Sequence, residues 1–257
     1  MTMHIDVLAA PGELEWVELG GTLTVVIDAI RATTTLLAAL EAGARRVHAV
    51  SSVEEALDLR RSIGGEDVVL CGERGGRQIE GFDLGNSPLE FVPEAVAGKI
   101  LVCTTTNGTR TFRECEGAAE LWLGCFRNRA AVVDRLTQAA EAAEAGPERV
   151  VIACAGKDGR LSLDDLLCAG LTVQGLRVAL PDLEAGDGAR AALLLADALG
   201  APTSGFLAST AAGASLVGIG LRDDLDYCAA LDVSPSVPAL LGGGFRLPET
   251  SDGEETR

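Results

Sequence analysis

Short apolar runs alternate with longer helical patterns along most of this chain. Buried strands are predicted where β-branched residues and leucines cluster between polar or glycine residues, at 22–27, 45–50, 67–71, 99–103, 120–124 and 148–154. Helices are predicted at 31–44, after the Ser52 capping box, at 128–145 and at 163–180. Strands that alternate with helices predict an α/β fold with a largely parallel sheet and helices on both faces.

The pattern becomes mostly helical after Pro181, and a last strand is predicted at 237–241. We therefore expect one compact α/β unit over residues 1–247. A weak boundary between two lobes is predicted only at the Gly/Asp-rich residues 183–189. The polar, acidic residues 248–257 are predicted to be a disordered tail.

The longest break in the pattern is CGERGGRQIEGFDLGNSP at residues 71–88, which follows a predicted strand. Neither helical nor strand periodicity continues through it, and a loop of this length is usually functional or disordered. Its five glycines favour defined turns over a flexible linker. The candidates for a polar site are Glu73, Arg74, Arg77, Asp83 and Asn86. A solvated surface loop is the alternative.

Four predicted strand ends carry polar residues, and ligands of open α/β sheets bind beyond the carboxyl ends of strands. These ends lead into Asp28, the 71–88 loop, TTTNGTR at 104–110 and AGKDGRLS at 155–162. Hydroxyl- and glycine-rich turns that open onto helices suit a phosphate or a sulfonate. The predicted substrate-binding residues are Thr33, Thr34, Asn86, Ser87, Thr105, Thr106, Asn107, Gly108 and Thr109.

Carboxylates and cations at the same strand ends predict the catalytic groups. Asp28, Glu73 and Asp165 are the predicted Mg²⁺ ligands, because this ion prefers oxygen. The predicted catalytic residues are Asp28, Arg31, Glu73, Arg74 and Lys157. If Asp28 and Glu73 share one parallel sheet edge, they need either a cation or arginines between them.

These predicted roles have structural alternatives. The threonines would also serve as helix caps. Asp165 would complete a capping box with Ser162, and Asp164 would interact favourably with the helix dipole.

Composition narrows the function. A net charge of −17 argues against nucleic acid as a partner, and it means that an anionic substrate needs locally concentrated cations. The chain has only two lysines, Lys99 and Lys157.

No apolar run is long enough for a bilayer and no signal pattern begins the chain. Seven cysteines without a CxxC spacing indicate reduced thiols, so we expect a cytoplasmic protein. Homo-oligomer formation stays open.

Residues 71–77 and 154–160 both match C-x5-R, the phosphate loop of cysteine phosphatases, in which a thiolate is the nucleophile. Glu73 lies inside the first segment and Asp158 inside the second. A carboxylate there repels a phosphate unless a metal intervenes. We therefore expect the cysteines to be dispensable for activity.

Several stretches together resemble the 2-phosphosulfolactate phosphatase (ComB-like) family. They are VVIDAIRATTTLLAALEAGA, GERGGRQIEGFDLGNSPLEF, TTTNGTRTF, CAGKDGRLSLDDLLCAG and GIGLRDDLDYCAALDVSPSVPAL, so the resemblance runs from about residue 23 to residue 241. Asp164 stands where the family usually has a glutamate. The resemblance implies the family's own α/β fold. It also implies Mg²⁺-dependent hydrolysis of 2-phosphosulfolactate to 3-sulfolactate and phosphate, a step of coenzyme M synthesis.

The mechanism we expect is metal-assisted hydrolysis. Carboxylate-held Mg²⁺ would polarise a phosphoryl oxygen and position a water, while arginines and turn amides neutralise the developing charge. The alternatives are a phosphatase for another small phosphorylated acid and a non-catalytic anion-binding or sensor protein on the same fold.

Overall fold

The computed structural model describes residues 3–65, 67–142 and 149–248. Its strands are β1 (His4–Leu8), β2 (Leu23–Ile27), β3 (Arg46–Ala49), β4 (Val68–Arg74), β5 (Arg77–Gln78), β6 (Ile100–Thr104), β7 (Glu120–Gly124), β8 (Arg149–Cys154), β9 (Glu184–Ala185), β10 (Ala239–Leu240) and β11 (Phe245–Arg246). Its α-helices are α1 (Ala32–Glu41), α2 (Val53–Ile63), α3 (Pro93–Val96), α4 (Gly108–Glu114), α5 (Arg129–Glu141), α6 (Leu163–Ala179), α7 (Asp187–Leu199), α8 (Ser204–Ser209), α9 (Ala211–Gly218) and α10 (Asp223–Cys228). Short 3-10 turns lie at Pro11–Trp16, Pro88–Glu90 and Phe126–Asn128.

All the strands belong to one mostly parallel sheet, in the order β5-β4-β6-β3-β11-β10-β7-β2-β8-β1-β9. One parallel block contains β4, β6 and β3, and the other contains β7, β2, β8, β1 and β9. The hairpin of β10 and β11 lies between them and pairs antiparallel with β7 and β3. The two blocks therefore run in opposite senses along the sheet.

Helices cover both faces of the sheet, because successive residues of each strand point to opposite sides. In β2, Val25 and Ile27 pack into a core with residues of α5, α6 and α7. Val26, between them, packs on the other side with residues of α1 and α4. This confirms the predicted α/β architecture.

Several details differ from the prediction. The predicted 71–88 loop is regular at its start: β4 continues to Arg74, and β5 folds back on it as an antiparallel hairpin. Gly75 and Gly76 form the turn with positive φ angles of 59° and 83°, which a glycine pair adopts without steric cost. Strand periodicity was too short there to be visible in the sequence.

The last two strands at the β9 end of the sheet were also missed. β1 and β9 pair with each other, and β9 contains part of the segment 183–189. The division into lobes stays a prediction. The helix predicted at 128–145 begins at Arg129 and continues to Glu141, while 143–145 lie outside the described residues. Of the predicted tail, 249–257 also lie outside them. No helix in the described ranges is long and apolar enough to cross a membrane.

Candidate active site

Strand ends from both blocks of the sheet converge on a mostly polar cavity of about 160 Å³. The ends of β2, β4, β6 and β8 supply its walls, and α9 supplies a further wall. Its lining residues are Asp28, Ile30, Arg31, Glu73, Gly75, Gly76, Asn86, Thr105, Thr106, Asn107, Gly156, Lys157, Asp158, Ala212, Ser215 and Leu216. The sequence suggested that Asp28 and Glu73 meet at one parallel edge of the sheet. They do not share such an edge, because β2 and β4 lie in blocks of opposite sense. The twist that accumulates across a wide sheet lets such strand ends approach each other.

Asp28 is the buried carboxylate that follows β2. Its Oδ1 accepts a hydrogen bond from the backbone N–H of Ala32 at 3.1 Å. Burial, reinforced by the charges of Asp164 and Glu73, raises the pKa of Asp28 from 3.8 to about 7. No hydrogen bond to its Oδ2 is found in the described part of the chain, so this oxygen is available to a ligand.

Two threonines after Asp28 fix the local backbone. Thr33 donates its hydroxyl to the Asp28 carbonyl at 2.8 Å, and its Oγ1 accepts from the Asp28 N–H at 3.1 Å. Thr34 donates to the Ala29 carbonyl at 2.9 Å. Neither side chain lines the cavity. The two threonines stabilise the turn between β2 and α1 rather than cap the helix, because α1 has no side-chain cap hydrogen bond.

Behind Asp28, two more carboxylates are buried at the start of α6. Asp165 accepts the N–H of Ala29 at 2.8 Å and the N–H of Gly156 at 2.9 Å, which ties the ends of β2 and β8 together. Asp164 accepts the Ser162 hydroxyl. Burial raises the pKa of both carboxyls. The capping box between Ser162 and Asp165 does not form, because Ser162 makes no side-chain cap bond.

Glu73 connects two turns at the cavity wall. Its Oε1 accepts the N–H of Thr106 at 2.7 Å, and its Oε2 accepts the N–H of Gly76 at 2.6 Å. The carboxylate therefore holds the turn after β6 against the β4–β5 hairpin. Each of its oxygens keeps a second lone pair that a cation would still be able to use.

The two predicted arginines have different positions. Arg31 lines the cavity, and its guanidinium is anchored by Asp224 at 2.6 Å and by the Gly76 carbonyl at 2.8 Å. Arg74 does not line the cavity. It donates to the Glu73 carbonyl at 2.7 Å and to the Thr104 hydroxyl at 3.1 Å, which stabilises the end of β4.

The segment after β6 forms a closed turn before α4. Thr105 and Thr109 bond reciprocally, with 3.2 Å between each backbone nitrogen and the other residue's Oγ1. Asn107 Oδ1 accepts the N–H of Asp158 at 3.1 Å, so this turn contacts the loop after β8. Gly108 is required by space, because a Cβ there would lie 2.7 Å from Asp28 Oδ2.

Lys157 is presented by a tight turn. Lys157 and Arg160 exchange backbone hydrogen bonds of 2.8 and 3.0 Å. The two residues between them, Asp158 and Gly159, have φ angles of 52° and 75°, as a type I′ turn requires. The ammonium lies 3.8 Å from Asp158, at the limit of an ion pair.

Asn86 and Ser87 end the 71–88 segment. Asn86 lines the cavity and is 5% exposed, and its buried Oδ1 has no hydrogen-bond partner among the described residues. Buried polar atoms are nearly always hydrogen-bonded, so this amide oxygen is a candidate contact for a water, an ion or a substrate. Ser87 instead donates to Asp224 Oδ1 at 2.6 Å.

These positions can be tested for their fit to a magnesium ion. Asp28 Oδ2 and Asn86 Oδ1 are hard oxygen donors of residues that line one cavity, and Glu73 adds a second carboxylate. Asp165 does not line the cavity, and both of its oxygens bind amides. Within the described ranges, no group of three or more His, Cys, Asp or Glu side chains is arranged around a metal position. Because Mg²⁺ typically takes one or two carboxylates and keeps several waters, the cavity fits it.

The cysteines in both C-x5-R segments are unsuited to nucleophilic attack. Cys71 and Cys154 are buried and do not line the cavity. Burial raises the pKa of Cys154 well above its ordinary value. A hydrogen bond with Cys103 and burial do the same to the pKa of Cys71. Both therefore stay protonated thiols at neutral pH. The dispensability of the cysteines stays a prediction.

Sequence reasoning missed Asp224 and the residues of α9. Asp224 lies in a run of three aspartates within four residues, and nothing in the sequence separates a buried member from exposed ones. Ala212, Ser215 and Leu216 have ordinary helical chemistry, and only the tertiary packing of α9 brings them to the cavity. The one sequence signal near Asp224 and α9 is the resemblance of residues 218–240 to the family.

Sequence comparisons agree with the resemblance. A profile of the family described as 2-phosphosulpholactate phosphatase matches residues 10–243. A Deinococcus radiodurans protein is 42% identical over 222 residues, covering 86% of this chain and 88% of that protein. A Thermus thermophilus protein is 40% identical over 243 residues, covering 94% and 95%. Both relatives are named probable 2-phosphosulfolactate phosphatases. The chain therefore belongs to the 2-phosphosulfolactate phosphatase family.

Proposed function

We propose that this protein is a phosphoric monoester hydrolase that converts 2-phosphosulfolactate to 3-sulfolactate and inorganic phosphate. The observation that carries the proposal is the cavity, in which the buried Asp28 carboxylate lies with Lys157 and with Asn86, whose Oδ1 has no hydrogen-bond partner among the described residues. The family relationship supplies the substrate, because the relatives' names specify 2-phosphosulfolactate.

Charge supports a metal requirement. Three carboxylates line the cavity (Asp28, Glu73 and Asp158), against two cations (Arg31 and Lys157), and Arg31 is already paired with Asp224. The substrate adds a phosphate, a carboxylate and a sulfonate. Anions on both sides repel each other in a site of low dielectric constant, so a divalent cation is needed to balance them.

We propose Asp28 and Asn86 as direct ligands of Mg²⁺, with Glu73 nearby as a further oxygen donor. The ion would supply Lewis-acid neutralisation of the phosphoryl oxygens. The protein's own groups then complete the site. The Ala32 amide fixes the Asp28 carboxylate. Lys157 offers a lining cation whose ion pair with Asp158 is long, at 3.8 Å. The apolar side chain of Leu216 in α9 limits access of bulk water.

The wider setting is also part of this proposal. We propose coenzyme M synthesis as the pathway of the reaction, because the family resemblance implies it and the proposed product is a sulfonate. Buried, reduced cysteines support a cytoplasmic protein. The prediction that residues 104–110 bind an anion through backbone amides is retained for Asn107 and Gly108. The Thr106 amide is already bonded to Glu73.

The test is phosphate release from 2-phosphosulfolactate and from other small phosphorylated acids, with Mg²⁺ and after exhaustive EDTA treatment. The proposal expects turnover of 2-phosphosulfolactate that needs the metal. Turnover of another acid alone would reassign the substrate. Binding without release would indicate a sensor protein. Full turnover after EDTA treatment would overturn the metal requirement.

A further inference from the structure

Three separate parts of the chain meet at one buried carboxylate, that of Asp224 in α10, which is 2% exposed. Its Oδ2 accepts a hydrogen bond from Arg31 Nη1 at 2.6 Å, at the start of α1. Its Oδ1 accepts the hydroxyl of Ser87 at 2.6 Å, at the end of the 71–88 segment. In the described part of the chain, Asp224 is not one of the residues that line the cavity.

The first of these contacts fixes the direction of Arg31. A guanidinium has five N–H groups in a rigid plane. One end binds Asp224, and Nη2 donates to the Gly76 carbonyl at 2.8 Å. Two anchors on different nitrogens restrict the rotation of the guanidinium. Its remaining N–H groups therefore keep a constant position at the cavity wall.

The second contact fixes Asn86, the residue with the unpartnered amide oxygen. The Asn86 carbonyl accepts the Thr35 hydroxyl at 2.9 Å, and the next residue, Ser87, is held by Asp224. The backbone of Asn86 is therefore held on both sides. The Asn86 side chain therefore lines the cavity from a backbone that is held in place.

We propose that Asp224 is a positioning residue that places Arg31 and Asn86 together in the cavity without touching the substrate. The role rests on the proposed function, because the placement matters for rate only if the cavity carries out the reaction. Displacements of about 1 Å can cost about 100-fold in rate, so one carboxylate that sets two cavity residues is expected to affect catalysis strongly.

The decisive variant is Asp224→Asn, which is nearly isosteric but cannot balance the Arg31 charge. We expect kcat/KM for 2-phosphosulfolactate to fall about 100-fold. The matched control is Asp223→Asn, an exposed neighbour in the same helix, which should keep the wild-type kcat/KM. Leu136→Ala, in the distant core, is the control for lost stability. It should lower the melting temperature and leave kcat/KM unchanged at temperatures where the protein is folded.

A double variant distinguishes a positioning role of Asp224 from a purely structural one. If Asp224 acts through Arg31, then Asp224→Asn should cost much less in an Arg31→Lys background than in the wild type. Losses that multiply would overturn the proposal, and so would a wild-type kcat/KM in Asp224→Asn. If that variant does not fold, Ser87→Ala keeps the ion pair and releases only Asn86. It should show a smaller loss of kcat/KM, and no loss would overturn the Asn86 half of the proposal.

A crystal structure of Asp224→Asn separates this inference from the proposed function. We expect the Arg31 guanidinium to leave the Gly76 carbonyl and the Asn86 amide to move. Unchanged positions for both would overturn the positioning role, even if the wild type released no phosphate. Displaced side chains in a protein without phosphatase activity would refute the proposed function and keep the positioning role.

Discussion

Asp28 has the most unusual environment of any single residue at the cavity. Its position at the end of an apolar strand identified it in the sequence, because such a strand fixes its last residue. Its pKa of about 7 was not predictable, since the cause is burial beside Asp164 and Glu73. Asp224 illustrates the opposite case: its role depends on contacts with residues 193 and 137 positions away, which no local pattern records.

The raised pKa of Asp28 predicts a pH-dependent stability in the metal-free protein. The folded state binds a proton between pH 3.8 and about 7 that the unfolded state has released. The free energy of unfolding should therefore fall as pH rises through this range. At about 1.4 kcal/mol per pKa unit, the Asp28 contribution is up to about 4 kcal/mol.

Urea unfolding in EDTA at pH 5 and pH 8 measures this contribution. Asp28→Asn cannot ionise, so its stability relative to the wild type should increase from pH 5 to pH 8. The exposed Asp58→Asn should show no such change. An equal difference between Asp28→Asn and the wild type at both pH values would contradict the prediction.

Lys157 allows a test with an internal control. Replacing Lys157 with Met removes a cation from the cavity lining. KM should therefore rise about tenfold or more, in line with loss of a charged contact worth about 1.5–3 kcal/mol. Lys99→Met is the control, because it changes the only other lysine. Lys99 precedes β6, so it lies at the end of that strand away from the cavity. Steady-state kinetics with equal KM increases in both variants would refute a specific role for Lys157.

At the scale of elements, strand ends and the turns that follow them carry the site. The alternation of strands and helices was readable because apolar runs and helical patterns are each several residues long. The β4–β5 hairpin and the strands β1 and β9 were not readable, because strands of two to five residues without strong flanking signals do not define a period. The position of α9 at the cavity follows from tertiary packing, which the sequence of a small, mostly apolar helix does not specify.

The close contact between α4 and Asp28 leaves no space for a side chain at residue 108. In Gly108→Ala the new Cβ would lie 2.6 Å from the Ala32 Cβ and 2.7 Å from Asp28 Oδ2. Relief requires α4 and the end of β2 to separate. We expect a stability loss of about 1–3 kcal/mol and a clear fall in kcat.

Gly117→Ala is the matched control for this substitution, because no heavy atom lies within 4 Å of its added Cβ. Its stability should stay within about 0.5 kcal/mol of the wild type. Denaturant unfolding and kcat measured on both variants check the comparison. Equal behaviour of the two alanine variants would mean that the approach of α4 to Asp28 is not important.

At the scale of the whole molecule, the topology of the sheet positions the site and the net charge affects the approach of an anionic substrate. The sequence indicated a largely parallel sheet, but not the β10–β11 hairpin that joins two blocks of opposite sense. Strands of two residues whose partners are remote in sequence leave no pattern to read. The sequence therefore could not predict that strand ends from both blocks form the cavity.

The net charge of −17 predicts a dependence on ionic strength. A polyanionic substrate is repelled by the protein at long range, and salt screens this repulsion as the Debye length falls from about 30 Å at 0.01 M to about 8 Å at 0.15 M. At constant free Mg²⁺, kcat/KM should therefore rise with added KCl over this range, while kcat stays constant. A kcat/KM that falls with salt would show that local cations dominate the encounter.

The central claim is that a phosphate ester is hydrolysed in the cavity with Asp28 at the reaction centre. The most direct test is phosphate release from 2-phosphosulfolactate in saturating Mg²⁺ by the wild type, Asp28→Asn and Asp58→Asn. We predict turnover by the wild type and by Asp58→Asn, and a kcat lower by about 100-fold or more in folded Asp28→Asn. A wild-type kcat in Asp28→Asn would contradict the account.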